Sequence, residues 1–140
     1  MFRRMSVSPQ TPVELKGLSV SLDRLVYKFD PYGPSPDEPH RFIYFISIHN
    51  DGDMTVTIEN RKWLIRHEDG TVLVFEGDGV VGETPEIAPG ERFSYHSSHT
   101  IGTQKATAYG AYFGSDEHGR QVFVRIPIFE LVVPPESAES

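Results

Sequence analysis

Apolar and polar positions alternate along most of this chain, and the alternation is that of extended strands. The segments 18-LSVSLDRLVYKF-29, 41-RFIYFISIHN-50, 55-TVTIENRKWLIRHE-68, 71-TVLVFE-76, 91-ERFSYHSSH-99, 105-KATAYGAYF-113 and 120-RQVFVRIPIFELVV-133 are rich in Val, Ile, Phe, Tyr and Thr with period-2 patterning. Turn signals separate them at 51-DGD-53, 69-DG-70, 89-PG-90 and 118-HG-119. Asp69-Gly70 suits a two-residue type I′ hairpin, whose central residues both take positive φ. No segment keeps a helical period. Seven or eight short strands with turns between them predict an all-β, antiparallel two-sheet sandwich of the immunoglobulin or fibronectin type III kind.

Two irregularities favour two packed sheets over one flat one. Val56 and Ile58 share one parity, whereas Trp63 and Ile65 share the other, which predicts a bulge near 60-NRK-62 with Arg61 and Lys62 exposed. Pro127 has no N–H to give a ladder, so it belongs at an edge or a bulge. Trp63, the single tryptophan, is expected as a core anchor between the sheets. Residues 17–134 read as one domain, preceded by a mobile segment 1–16 and followed by a polar tail 135–140. The proline-rich loop 30-DPYGPSPDEPH-40 is a stiff, acidic connection.

Composition narrows the chemistry. The chain has no cysteine, which excludes thiolate catalysis, disulfides and cysteine-ligated zinc. Its formal charge is −7 with no basic stripe, against nucleic-acid binding. No apolar run reaches signal-peptide or membrane-span length, so the expectation is a cytoplasmic protein without a membrane partner.

The stretch 76-EGDGVVGETP-85 carries Gly77, Gly79 and Gly82 at the G-x-G-x-x-G spacing of a dinucleotide-binding turn. That turn works by opening a helix, and Pro85, Pro89 and Gly90 forbid one here. Glu83 stands where a phosphate loop has lysine, among the carboxylates Glu76, Asp78 and Glu86. Glycines at a strand bend are one reading; the other is an anion-binding nest for phosphate or pyrophosphate, with a divalent cation and with Arg61 or Arg66 as charge partner.

Over residues 41–133 the chain resembles the ApaG domain family. The resemblance rests on 42-FIYFISIHN-50, on 61-RKW-63, on 77-GDGVVGETP-85 followed by 89-PGE-91, and on 126-IPIFEL-131 before Pro134. It departs from the family pattern at Lys62, at Thr84, at Ser97-Ser98 and in 106-ATAYGAY-112, which keeps only Gly110 and Tyr112. The resemblance implies a fibronectin type III-like sandwich. It also implies a tie to cobalt and magnesium homeostasis, and a partner-binding role like that of similar domains in F-box and polymerase-delta-interacting proteins. It brings no catalytic residues.

Other constellations are weaker. His96 and His99 fall on opposite strand faces, and no H-x-H or H-E-x-x-H occurs, so no metal site is expected. Asp30, Asp37 and Glu38 allow weak Mg2+ or Co2+ association, and no cofactor is expected. Ser97 or Ser98 lacks the G-x-S-x-G setting of a nucleophile. Tyr95, Tyr109, Tyr112 and Phe113 form a candidate interaction surface. The function expected is therefore a non-enzymatic module binding an unidentified protein, with room for a homodimer through an edge strand.

Overall fold

The computed structural model describes residues 11–135. Among these, strands β1 (Val13–Glu14), β2 (Leu18–Phe29), β3 (His40–Asn50), β4 (Val56–His67), β5 (Val72–Asp78), β6 (Glu86–Ile87), β7 (Arg92–Ile101), β8 (Lys105–Asp116) and β9 (Gln121–Val132) build two sheets. The larger has the order β1-β9-β8-β4-β5, with β6 also paired to β4, and the smaller is β2-β3-β7. Only the short β1–β9 pairing is parallel. The all-β, two-sheet sandwich expected from the alternation is the fold found.

Alternation fills the space between the sheets. Phe42, Tyr44, Ile46 and Ile48 of β3 face Ile58, Trp63 and Ile65 of β4 and Ala108 and Tyr112 of β8, all buried. Tyr44 and Trp63 meet across the gap with ring centroids 4.9 Å apart, and the Tyr95 and Tyr112 hydroxyls hydrogen-bond from opposite sheets. Trp63 is the anchor expected of it.

Irregularities fall close to their expected places. The extra residue of β4 is Glu59, between Ile58 and Asn60 in the pairing with β8, so inward parity passes from Val56 and Ile58 to Trp63, Ile65 and His67. Arg61 shares that inward parity, which corrects the expectation that it is exposed: it is half-buried on the inner face. Pro127 lies in a second bulge, where β9 has one more residue than β8 between Ile126 and Phe129.

The Asp69-Gly70 hairpin differs in kind. Only Gly70 has positive φ, at 91°. The His67 amide donates to Thr71 and the Gly70 amide to His67, so the loop has three residues and ends on a left-handed glycine. Asp69 instead accepts from the Thr71 amide at 2.9 Å. The sheet also starts before residue 17, because Val13 and Glu14 pair with Val122 and Phe123. The mobility expected of 1–10 and 136–140 lies outside the described residues.

One half-buried imidazole ties the core to pH. His99 stacks on Tyr44 (4.8 Å) and meets Trp63 edge-on (4.6 Å). Its Nε2 and the Trp63 Nε1 have no hydrogen-bond partner. Burial pushes the His99 imidazole down to about 4. Between pH 6.5 and 4 the unfolded chain binds a proton there that the folded chain refuses. Stability is full above the unfolded value and falls as the pH drops through this window, by up to about 3 kcal/mol. Urea unfolding of wild type and His99→Phe from pH 7 to 4 should show a shallower loss for the variant. Parallel curves would refute the assignment.

Candidate functional site

The glycine stretch forms the end of β5 and a turn held by β4. Gly77 lies directly opposite Arg61, and the guanidinium rests on its α-carbon: a Cβ there would sit 2.7 Å from Nη2. From that position Arg61 Nη1 donates to the carbonyls of Asp78 (2.8 Å) and Gly79 (3.0 Å). The bulge residue Glu59 adds its own carbonyl, which accepts the Gly79 amide at 2.6 Å. Two consecutive features of β4 thus clamp Gly77 to Gly79.

Beyond the clamp the chain reverses between Val80 and Glu83, which exchange both backbone hydrogen bonds at 2.7 and 2.9 Å. The two central residues, Val81 and Gly82, have φ of 45° and 81°. This is the two-residue I′ hairpin that the sequence suggested at Asp69-Gly70. Val81 is an unfavourable residue for it, since a β-branched side chain at positive φ is strained. Val80 is wholly buried, whereas Val81 is exposed at the tip.

This geometry brings together Arg61, Gly77 and Gly79, but not Arg66. Arg66 has the opposite parity on β4, pairs with Val72, and lies on the outer face with its guanidinium 5.9 Å from the Tyr109 ring centre. The groups aimed at Arg61 are carbonyl oxygens, and the amides of Gly79, Val80 and Glu83 are already spent on backbone acceptors. An anion needs donors where this turn supplies acceptors.

The four aromatics expected as a contact surface divide between the core and the outer face of the large sheet. Tyr112 is buried and Tyr95 half-buried, hydroxyl to hydroxyl in the core, and burial raises both phenols well above their ordinary value. Tyr109 and Phe113 point outward. There they line an apolar groove of about 480 Å³ with Leu64, Phe123 and Ile128. Lys62 and Arg125 stand at its sides, and Arg125 lies 5.7 Å from the Phe123 ring centre. Period-2 reasoning finds this face only once the pairing of β4, β8 and β9 is known: Leu64 pairs with Tyr109, Lys62 with Ala111, and Ala111 with Arg125.

The outer face of the small sheet carries a polar network beside Phe45 and Ile43. Ser47 bonds both Asp23 and Ser94, and Ser21 links Asp23 to His49. The hydroxyls of Ser47 and Ser21 hold the Asp23 carboxyl below its usual range. Ser21, His49 and Asp23 are not a nucleophilic triad: the Ser21 proton goes to Asp23, so His49 Nε2 must donate to the hydroxyl and cannot take its proton. In the acidic loop Asp30 is paired with Arg41 at 3.1 Å and Glu38 accepts from Thr100, so these carboxylates do not converge with Asp37. Among the described residues no three His, Asp or Glu side chains gather as a metal centre, and no helix is long and apolar enough to cross a membrane.

An antiparallel two-sheet sandwich with an apolar groove on one outer face describes the class. Within it, the ApaG domain model matches residues 34–115. The chain is 43% identical over 98 residues to Protein ApaG of Enterobacter sp., covering 70% of this chain and 78% of that one. It is 39% identical over 108 residues to Protein ApaG of Deinococcus radiodurans, covering 76% and 84%. The crystal structure of a protein described as the putative ApaA protein from Bordetella pertussis superposes with a TM-score of 0.75 at 33% identity, over 89% of this chain and 99% of that one. The chain belongs to the ApaG domain family.

Arg61→Ala removes two charged hydrogen bonds and should cost about 2 kcal/mol in urea unfolding. Gly77→Ala should cost a similar amount by expelling the guanidinium, and the double variant should cost clearly less than the sum; additivity would show that the two do not share one interaction. Val81→Asn should stabilise the chain by about 1 kcal/mol, because asparagine accepts positive φ. A loss of stability in the same assay would contradict the strain.

Proposed function

We propose that this chain is a non-enzymatic, protein-binding module that presents the outer face of its large sheet to a partner. The observation that carries this is the contrast between the two outer faces. On the small sheet, Ser21, Ser47, Ser94, His49 and Asp23 satisfy one another, and Arg24 lies over the Phe45 ring at 5.6 Å. On the large sheet, Leu64, Tyr109, Phe113, Phe123 and Ile128 form a continuous apolar floor, with Ile128 70% exposed. Its lining includes no carboxylate and no imidazole, so it has the makings of a docking groove rather than of acid–base chemistry.

Lys62 indicates the character of the partner. Arg125 is engaged with Glu14 at 3.2 Å, while Lys62, opposite Glu76 across the sheet but in no ion pair among the described residues, sits beside the groove. A protein segment that seats apolar side chains on Tyr109 and Leu64 and brings a carboxylate to Lys62 fits this arrangement. A connection to cobalt or magnesium homeostasis would then run through that cytoplasmic partner.

The test is comparative capture from an extract of the source cell. Wild type and a variant of the polar face, Arg92→Glu, should retain the same protein, and Leu64→Asp should lose at least about tenfold of it while keeping its fold by circular dichroism. Equal retention by Leu64→Asp would refute the proposed face.

A further inference from the structure

The edge of the large sheet carries a separate message. β5 pairs with β4 on one side and ends the sheet on the other. Four consecutive apolar residues on it are exposed: Val72 (42%), Leu73 (38%), Val74 (52%) and Phe75 (50%). Val72 and Val74 belong to the outer face. Leu73 and Phe75 face inward opposite Ile65 and Trp63, yet the small sheet stops at β7, where His99 lies 6.4 Å from the Phe75 ring. The run holds no charge, proline or bulge, the devices by which sheet edges are kept from pairing.

We infer that a second copy of this chain covers this edge, by antiparallel pairing of β5 with β5 across a two-fold axis at Val74. The choice of occupant and of register comes from the side chains. Opposed residues of antiparallel strands share a face, so inner residues must meet inner ones, and a dyad must pass through a residue rather than between two. A dyad at Leu73 sets each Phe75, the larger of the two uncovered inner residues, against Thr71 beside the turn. A dyad at Phe75 sets Val74 against Glu76 and Val72 against Asp78. A dyad at Val74 puts Leu73 against Phe75 twice on the inner face, where both lack cover.

On the outer face the same register gives a favourable order of charge. Glu76 already stands beside Lys62, and Val72 beside Arg66, in the pairing of β5 with β4. Across the dyad, Glu76 of one copy faces Val72 of the other, with Arg66 of that copy next along the row. Glu76 therefore has Lys62 on its own side and no carboxylate opposite, with Arg66 of the second copy one strand further on. The middle row, Leu64 to Val74, continues into Val74 and Leu64 of the second copy. The self-complementarity that a two-fold interface demands is present in one short strand. The pairing uses the sheet's edge and not its groove, so it stands or falls independently of the docking face proposed above.

The full chain has no cysteine, which makes a clean crosslinking test available. Single cysteines placed by Leu73→Cys, Val74→Cys and Phe75→Cys are oxidised, and the covalent dimer is followed on non-reducing gels. Residues directly opposite lie within disulfide reach, so Val74→Cys should crosslink fastest of the three. Sedimentation velocity of wild type over a concentration series should reach twice the chain mass. Val74→Asp, with an unchanged far-ultraviolet spectrum, should weaken association by about a hundredfold or more, since it sets two charges face to face in an apolar row. A wild type that stays monomeric, a dimer that survives Val74→Asp, or fastest crosslinking at 73 or 75 would each overturn the inference.

Discussion

The single residue inserted at Glu59 organises both ends of this protein's chemistry. β4 is the strand to which β8, β5 and β6 all attach. Without the bulge its inward parity would run on from Val56 and Ile58 to Asn60 and Lys62, and Trp63 would face solvent. With it, Trp63 fills the core against Tyr44, and Arg61 turns inward to the glycine stretch. The same shift sends Lys62, Leu64 and Arg66 to the outer face. The bulge also supplies the carbonyl that receives Gly79. One backbone irregularity therefore sets the core, the turn and the groove together.

This explains why the glycines at 77, 79 and 82 spell a nucleotide motif without its machinery. Gly77 makes room for the Arg61 guanidinium, and Gly82 completes a turn in which φ is positive. Arg61 is turned toward carbonyl oxygens of its own chain. The apolar groove lies on the far side of the same sheet, with Lys62 beside it.

Strand-level features were legible because period-2 alternation is strong in β3, β4, β8 and β9. The parity switch in β4, the bulge at Pro127 and the core position of Trp63 all follow from one strand read alone. What was not legible depends on pairing between strands. Tyr109 and Tyr112 lie three residues apart on β8, and that odd spacing sends them to opposite faces although both read as surface aromatics. The bulge falls at Glu59, ahead of the 60–62 stretch, so Arg61 already resumes the inward parity. β1 and β6 are two residues each, too short to show a period. The I′ turn fell on Val81-Gly82 because the clamp on Gly77 to Gly79 fixes where β5 must end, and local preference for Asp-Gly had no such constraint.

The account stands on the claim that the large sheet's outer face is where this domain meets its partner. The direct test is an amide-shift map of the isotope-labelled chain titrated with the purified captured protein. The account predicts saturable shifts at 62–66, 107–113 and 123–128. Shifts confined to the serine-rich outer face of β2, β3 and β7, with the groove residues unmoved, would contradict it.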